Sequence, residues 1–405
     1  MAKRWVLGMF LGALASWGTP ADAFAQGMGD AVPAAAGGMF GGPGSGMAGP
    51  APAGPYGVPA PYSMASCPGP AGGYGPPRPG VSFGCEPGCE SGNGRFFVDF
   101  GWVLYKRNPY QNMTFVVADV SGFDSGNAAD ATQAELFNLK DVGIPWNNGF
   151  QLAFGVQHDD VIYEFAGWYV PNRGASRYLD GASGLSSFFV RPPLGFEGNV
   201  GMWQQADTMR FDFRQNSASG ALNAKLVGPC DCEEFKYSLL VGLRYVDLWE
   251  RFNYTVDDDA LTFGSLPQTI ATLQYQTSNR LIGPQVGFDV NYAVNSWFGI
   301  EAMGRLGLMA NLMTMRETLT RGDGFQGFDS SIQRCEFSQL YETGVHLYVY
   351  AGNMRLKGGY DFKWFVGTAK TDNLINFDLE HQPTTISTTG TLFFHGPSVS
   401  FEIFF

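Results

Sequence analysis

Histidine is the residue type best suited to proton transfer near neutral pH, and the chain has four: His158, His346, His381 and His395. A protease could pair histidine with aspartate, and a lipid hydrolase could combine serine, histidine and asparagine. His381 and His395 lie near the last long loop, but no distinctive partner motif accompanies them. We therefore predict no enzymatic activity and no catalytic residue. A hydrolase at the rim of the fold is the second alternative.

Six cysteines could form disulfides or bind a metal: Cys67, Cys85, Cys89, Cys230, Cys232 and Cys335. A bridge between Cys230 and Cys232 would be strained because they are so close in sequence. A bridge to another cysteine and two free thiols both stay open. A metal site needs more converging ligands than these offer. The sequence predicts no metal site and no cofactor.

The composition favours an all-β fold. Of 405 residues, 15% are aromatic, only 15% are charged, and 55 are glycines. Many strands with small inward residues suit this balance better than a charged, helix-rich enzyme does. The formal net charge of -12 argues against a nucleic-acid partner, which would require a basic stripe.

The N-terminus has the pattern of a secretory signal peptide over 1–25. Lys3 and Arg4 precede an apolar run over 5–17, and Ala23-Phe24-Ala25 supplies a small-x-small cleavage site before Gln26. The next cysteine, Cys67, is too far downstream for a lipoprotein anchor. We expect an exported protein, in a compartment where disulfides can form.

Residues 26–94 are dominated by glycine, proline and alanine. Such a segment cannot bury enough apolar surface to offset its chain entropy, so we predict a disordered tail. Its role could be a periplasmic tether, a partner-binding arm or a plain spacer.

From residue 95 to the end, apolar and polar residues alternate with a period of two, which predicts strands with one apolar face. Beyond the signal there is no apolar run of about 20 residues, so a spanning protein would have to be a β-barrel with apolar residues facing lipid. Phe96, Val98 and Phe100 share such a face. By the same pattern we expect Met209, Phe211 and Phe213 to face lipid and Arg210, Asp212 and Arg214 to face the lumen.

The connections alternate in length, as in bacterial barrels with short periplasmic turns, long external loops and both termini in the periplasm. Short ones are predicted at 158–160, 229–234, 294–296 and 351–352, and long ones at 107–148, 171–207, 251–271, 316–334 and 371–390. This register predicts a transmembrane antiparallel barrel over 95–405 with about ten strands. The number rises to about twelve if 113–120 and 185–190 insert as further strands.

The last strand places Phe401, Ile403 and Phe405 on one face. A terminal aromatic residue after alternating apolar residues resembles the C-terminal assembly signal of outer-membrane barrels. It implies the barrel assembly machinery and outer-membrane lipid as partners.

Charged residues of both signs fall on the faces predicted to line the lumen. They are Arg95, Asp99, Lys236, Arg244, Asp289, Glu301, Arg305, Glu342, Arg355, Lys357, Asp361 and Lys363. They could line a polar conduit and set its ion preference. They could equally pair across a narrow interior and fill it, and the two interpretations stay open.

Three segments resemble the porin-like barrels of planctomycete-type bacteria that form the seventh β-barrel porin family. They are 97–108 (FVDFGWVLYKRN), 240–248 (LVGLRYVDL), which follows Cys230 and Cys232, and 279–287 (NRLIGPQVG). The resemblance covers 95–405 and implies an outer-membrane location and a pore. The part around Ile282-Gly283-Pro284 also looks similar to the pore-forming major outer-membrane proteins of legionella-type bacteria. No functional residue carries over from either.

We therefore predict a bacterial outer-membrane barrel with a periplasmic N-terminal tail, acting as a passive porin-like channel for ions or small hydrophilic solutes. The first alternative is a closed structural or surface-interaction barrel.

Overall fold

The computed structural model describes residues 95–118, 135–196, 203, 206–228, 235–258, 266–380, 386–387 and 389–405. The chain divides into two units, 1–73 and 74–405, and all described residues belong to the second. The predicted signal peptide and tail lie outside the described residues. So do His381 and every cysteine except Cys335, which is exposed with a free thiol.

Twelve strands make up nearly all of the described structure. They are β1 (Arg95–Arg107), β2 (Thr114–Ala118), β3 (Glu135–Asn138), β4 (Asn147–His158), β5 (Val161–Ser187), β6 (Ala206–Val227), β7 (Phe235–Asp257), β8 (Ile270–Ala293), β9 (Phe298–Arg321), β10 (Gln326–Ala351), β11 (Met354–Thr368) and β12 (Gly390–Phe404). Three 3-10 helices cover Leu139–Asp141, Pro267–Thr269 and Thr371–Leu374. Among the described residues no helix is long and apolar enough to cross a membrane.

Ten of the strands close into an antiparallel barrel. The order around the ring is β5-β4-β1-β12-β11-β10-β9-β8-β7-β6, and pairing between β5 and β6 completes it. This confirms the predicted antiparallel barrel and its strand number. The two further segments do not insert into the ring: β2 pairs with the end of β5 and with β3, and 185–187 is the last part of β5 itself.

An outward apolar belt surrounds one end of the barrel. Large apolar side chains are exposed on successive strands, among them Phe100 on β1, Val241 on β7 and Phe401 on β12, each at least 40% exposed. Their neighbours in sequence are buried or half-buried, so the period-two alternation places the belt on the outside. Phe401, Ile403 and Phe405 lie on this outward face. An apolar surface that continues around the barrel is the kind that lipid covers.

Strands β5 to β10 continue beyond the belt, and there the apolar residues face inward and the polar residues face outward, the reverse of the pattern within the belt. On β6, Met209, Phe211 and Phe213 are buried, whereas Arg210 and Arg214 are exposed. The prediction that these phenylalanines face lipid was therefore wrong. Past the belt, water lies outside the barrel and packed connections lie inside, so apolar residues are stable only on the inner face.

Because these strands extend past the belt, several connections are shorter than predicted. The long loop expected at 316–334 is a hairpin of β9 and β10 with only 322–325 between the strands. The loops expected at 171–207 and 251–271 shorten because β5 runs to Ser187 and β7 to Asp257. The short turns lie between β4 and β5, β8 and β9, and β10 and β11 as predicted. The fourth, at 229–234, is outside the described residues.

Candidate functional site: the barrel interior

Four layers of side chains fill the interior of the barrel. We describe them in order, starting at the end where the short turns, Arg95 and Phe405 lie, and 'above' means farther from that end. The ionic layer consists of Asp99, Glu164, Lys225, Arg244, Asp289, Glu301, Arg305, Glu342, His346, Arg355, Lys357, Asp361, Lys363 and Glu402. The apolar ring consists of Val103, Tyr105, Trp168, Val170, Val246, Leu248, Leu281, Met309, Leu340, Phe365, Leu392 and Phe394. Above them lie a layer around Arg107 and Glu250, and an inner core built from three connections.

Glu342 is the centre of one half of the ionic layer. Arg244 Nη1 is 2.5 Å from Glu342 Oε2, and Arg305 Nη1 is 3.8 Å from the same oxygen. Lys363 contacts the other carboxylate oxygen. The four side chains come from β7, β9, β10 and β11 and are at most 12% exposed. Charges this deeply buried are stable only because they neutralise one another.

A second group of ion pairs is centred on Lys225 of β6. Its ammonium is 2.8 Å from Glu164 and 3.0 Å from Asp289. Asn223 donates a hydrogen bond to Glu164 over 3.0 Å and accepts one from Gln285 over 2.5 Å. Ion pairs and amide hydrogen bonds thus join β5, β6 and β8 across the interior.

A third group lies nearest the described termini. Lys357 Nζ is 2.5 Å from Asp99, and Arg355 Nη2 is 2.5 Å from Glu402. Arg355 also approaches Glu301 at 3.4 Å. These pairs link β11 to β1, β12 and β9, so the ionic layer fills this end of the lumen as well.

The structure brings ten of the predicted lumen residues into this layer, all except Arg95 and Lys236. Those two are half-buried on the inward faces of β1 and β7, at the strand ends nearest the short turns. Lys225 and Glu402 are not among the predicted lumen residues, although both occupy inward positions of their strands. The alternation, continued along β6 and β12, would have found them.

The apolar ring lies directly above the ionic layer. It has members on eight of the ten barrel strands, and all are buried. The ring centres of Tyr105 and Trp168 are 6.2 Å apart, edge to face, and Tyr105 donates a hydrogen bond of 3.1 Å to Asp361 below. The ring therefore closes the lumen with side chains that offer water few partners.

One ion pair crosses the lumen above the apolar ring. Arg107 Nη1 of β1 is 2.9 Å from Glu250 Oε1 of β7, although β4, β5 and β6 lie between these strands on the shorter way around the ring. The side chains are 0% and 3% exposed. Thr371 Oγ1 donates a 3.2 Å hydrogen bond to Glu250, and the Arg107 guanidinium lies 4.7 Å from the centre of the Tyr110 ring.

The connection between β11 and β12 is held against the wall at this level. Asn279 Nδ2 donates to the backbone oxygen of Ala369 over 2.8 Å, and the Ala369 amide donates back to Asn279 Oδ1 over 2.7 Å. Asn311 donates to the same Asn279 oxygen over 3.1 Å. A buried backbone segment with its polar groups satisfied in this way is stably docked.

The inner core lies above this layer and contains residues of the β1–β4, β5–β6 and β11–β12 connections. Phe115 on β2 is at its centre, with ring contacts of 5.5 Å to Phe189, 5.3 Å to Phe211 and 5.1 Å to Tyr254. Trp203 packs on Phe189 at 5.4 Å. The connections fold into the barrel and fill its upper end.

Glu317 of β9 is a carboxyl group buried at the edge of the inner core, beyond the apolar belt. It is 2% exposed and lies between the core residues Met315 and Leu319 along its strand. Burial raises the pKa of Glu317 to about 7, and a hydrogen bond with Tyr275 opposes this shift only in part. The Tyr275 hydroxyl also lies 3.3 Å from the backbone oxygen of Asn376 in the β11–β12 connection.

The described histidines do not form a proton relay. His346 Nε2 is 3.1 Å from Asp361 Oδ1 and 3.3 Å from Ser398 Oγ. In a catalytic triad the acid and the serine bind opposite ring nitrogens, whereas here they share one. His395 faces outward and stacks on Tyr360, and His158 is exposed at the end of β4.

Comparisons with known proteins show only distant similarity. No protein-family model and no curated protein matches the chain. Among solved structures, the outer membrane protease OmpT of Escherichia coli is 12% identical, with a TM-score of 0.42, over 78% of this chain and 97% of that one. The toluene transporters TodX of Pseudomonas putida and TbuX of Ralstonia pickettii are 7% and 9% identical, with TM-scores of 0.26 and 0.22. Each covers 77% of this chain and, respectively, 89% and 90% of its own.

Fold and interior together define the class: an antiparallel ten-stranded barrel with an outward apolar belt and a filled lumen. The resemblance to the planctomycete-type porin family stays a prediction, since no family model matches.

Proposed function

We propose that this chain is a bacterial outer-membrane protein whose barrel is closed, with a structural or surface-contact role in the cell envelope. The apolar belt supports the location, because lipid would cover it. Outer-membrane lipid and the barrel assembly machinery are the partners that follow. The short turns and the C-terminal strand end lie at one end of the barrel, which supports a periplasmic position for the N-terminal tail.

The observation that carries the closed state is the Arg107–Glu250 ion pair, which joins nearly opposite walls with both side chains buried. A passive pore needs a continuous column of water, and such a column would expose these charges. The apolar ring below is a second barrier, because apolar constrictions exclude water and ions. The charged residues of the lumen thus act as a filling, and the proposed role requires no enzymatic activity.

A gated channel for ions or small hydrophilic solutes is the second candidate. It is favoured by one observation: much of the inner core comes from connections, which can move more easily than paired strands. Displacing them would still leave the apolar ring and the ionic layer across the lumen. Opening would therefore require a change in the barrel strands too.

Swelling of proteoliposomes in small sugars separates the candidates. We expect no swelling with the wild type, and none with a variant in which residues 371–387 are replaced by a short Gly-Ser turn, because the apolar ring remains. Protease protection of the inserted protein controls for folding. Swelling with the wild type would establish a passive pore, and swelling with the variant alone would establish the gated channel. Either result overturns permanent closure.

A further inference from the structure

Two arginines face each other on the outer wall, beyond the apolar belt. Arg214 of β6 and Arg251 of β7 are register partners, and both occupy outward positions of their strands. Like charges directly opposite each other on a sheet destabilise it. A pair of this kind is expected to persist where an anion neutralises it.

No carboxylate among the register partners in the same row across the strands supplies the negative charge that would neutralise the two arginines. The row continues with Gly174 on β5 and Gln276 on β8, neither of which is charged. Among the residues that the structure describes, neither Arg214 nor Arg251 takes part in an ion pair. The nearest acid along β6, Asp212, binds Arg210 at 2.8 Å and accepts a hydrogen bond from Ser176 over 2.5 Å.

Other outward arginines at this end of the barrel have acidic neighbours. Arg316 of β9 is 2.5 Å from Asp329 of β10, and Arg280 of β8 lies opposite Asp247 of β7 in the register. The Arg214–Arg251 pair therefore departs from the local pattern and leaves two positive charges in excess.

The Arg251 guanidinium is held in place. It lies 5.5 Å from the centre of the Trp249 ring, and its Nε is buried without a hydrogen-bond acceptor among the described residues. A planar guanidinium offers paired donors that match the oxygens of a phosphate. Trp249, one outward position nearer the belt, is the residue type found at membrane–water interfaces. The two arginines thus lie where lipid headgroups would surround the barrel.

We propose that Arg214 and Arg251 bind the phosphate of an outer-leaflet lipid headgroup. The proposal rests on the outer-membrane location given above. Next to the pair, farther from the belt, is an open groove lined by Ser176, Arg177, Tyr178 and Arg210. It gives the polar part of a headgroup room to extend along the wall.

Lipid binding by the refolded protein in an uncharged detergent tests this. Native mass spectrometry would compare phosphatidic acid, diacylglycerol with the same acyl chains, and inorganic phosphate. We expect selective binding of phosphatidic acid, weakened about 10- to 100-fold in the R214Q/R251Q variant by the loss of two charge-assisted contacts. The matched control is R316Q/D329N, which removes a neutralised pair at the same end and should bind as the wild type does.

Equal binding by R214Q/R251Q and the wild type would overturn the site. Binding of phosphatidic acid that inorganic phosphate displaces at equal concentration would overturn the lipid as its ligand, in favour of a soluble anion. Flotation of each variant with vesicles measures membrane insertion separately. Failure of the wild type to insert would contradict the proposed location, whereas insertion without phosphate selectivity would contradict only this inference.

Discussion

Replacing Arg107 with leucine is expected to lower the free energy of unfolding by about 3–5 kcal/mol, the range for one charge of a buried pair left unpartnered. Glu250 would remain in the interior without its guanidinium partner, although Thr371 still donates a 3.2 Å hydrogen bond to its carboxylate. Guanidinium unfolding in detergent micelles, followed by tryptophan fluorescence, would measure the loss.

The double variant R107L/E250L separates charge from packing. It removes both charges, so most of the stability should return, as is often found when buried pairs are replaced by apolar residues. K106L is the matched control: Lys106 is the preceding residue, faces outward, and lies 5.8 Å from the Trp146 ring. The free energy of unfolding of K106L should fall by no more than about 1 kcal/mol, the range for exposed charges. An R107L protein as stable as K106L would contradict the crossing ion pair.

Stability should also fall as pH rises, because of Glu317. Its pKa is about 7 in the folded protein against an ordinary value of 4.5, so the folded state keeps a proton that the unfolded chain releases. The contribution of Glu317 to the free energy of unfolding is therefore constant below pH 4.5. It is lost between pH 4.5 and 7 and changes no further above pH 7. The shift corresponds to on the order of 3 kcal/mol.

The variant E317Q tests the sign of this dependence. Glutamine resembles the protonated carboxyl, so E317Q should be more stable than the wild type at pH 8 and should lack this pH dependence between pH 5 and 8. E336Q is the control, because Glu336 is exposed on β10. The unfolding midpoint at four pH values would measure the effect. Wild-type stability that rises across this interval relative to E317Q would contradict the buried, protonated state.

Alternation predicted the part of the barrel that the belt surrounds. In β1, Phe100 is outward and Asp99 inward, as expected where lipid lies outside and a polar interior lies inside. The same period with the opposite sign runs through Met209–Phe213 and through the β9–β10 hairpin. A local stretch of sequence shows that a strand has two faces, but not which face meets water. The parts of β5 to β10 beyond the belt were therefore predicted to be loops, or strands with the wrong face toward lipid.

The interior could be predicted only in its residue types. The inward position of Lys225 follows from parity along β6, but its partners Glu164 and Asp289 follow only from the order of strands around the ring. The Arg107–Glu250 pair depends further on how the connections pack, since Thr371 binds Glu250 from the β11–β12 connection. Contacts between such distant segments leave no periodic signal.

Single-channel recording with the refolded mature chain in a planar bilayer tests the closed lumen most directly. Because the apolar ring and the Arg107–Glu250 pair cross the interior, we predict a flat baseline from protein whose insertion has been verified by protease protection. Stable, discrete conductance steps from the same preparation would contradict the account, since they require the open water column that the interior excludes.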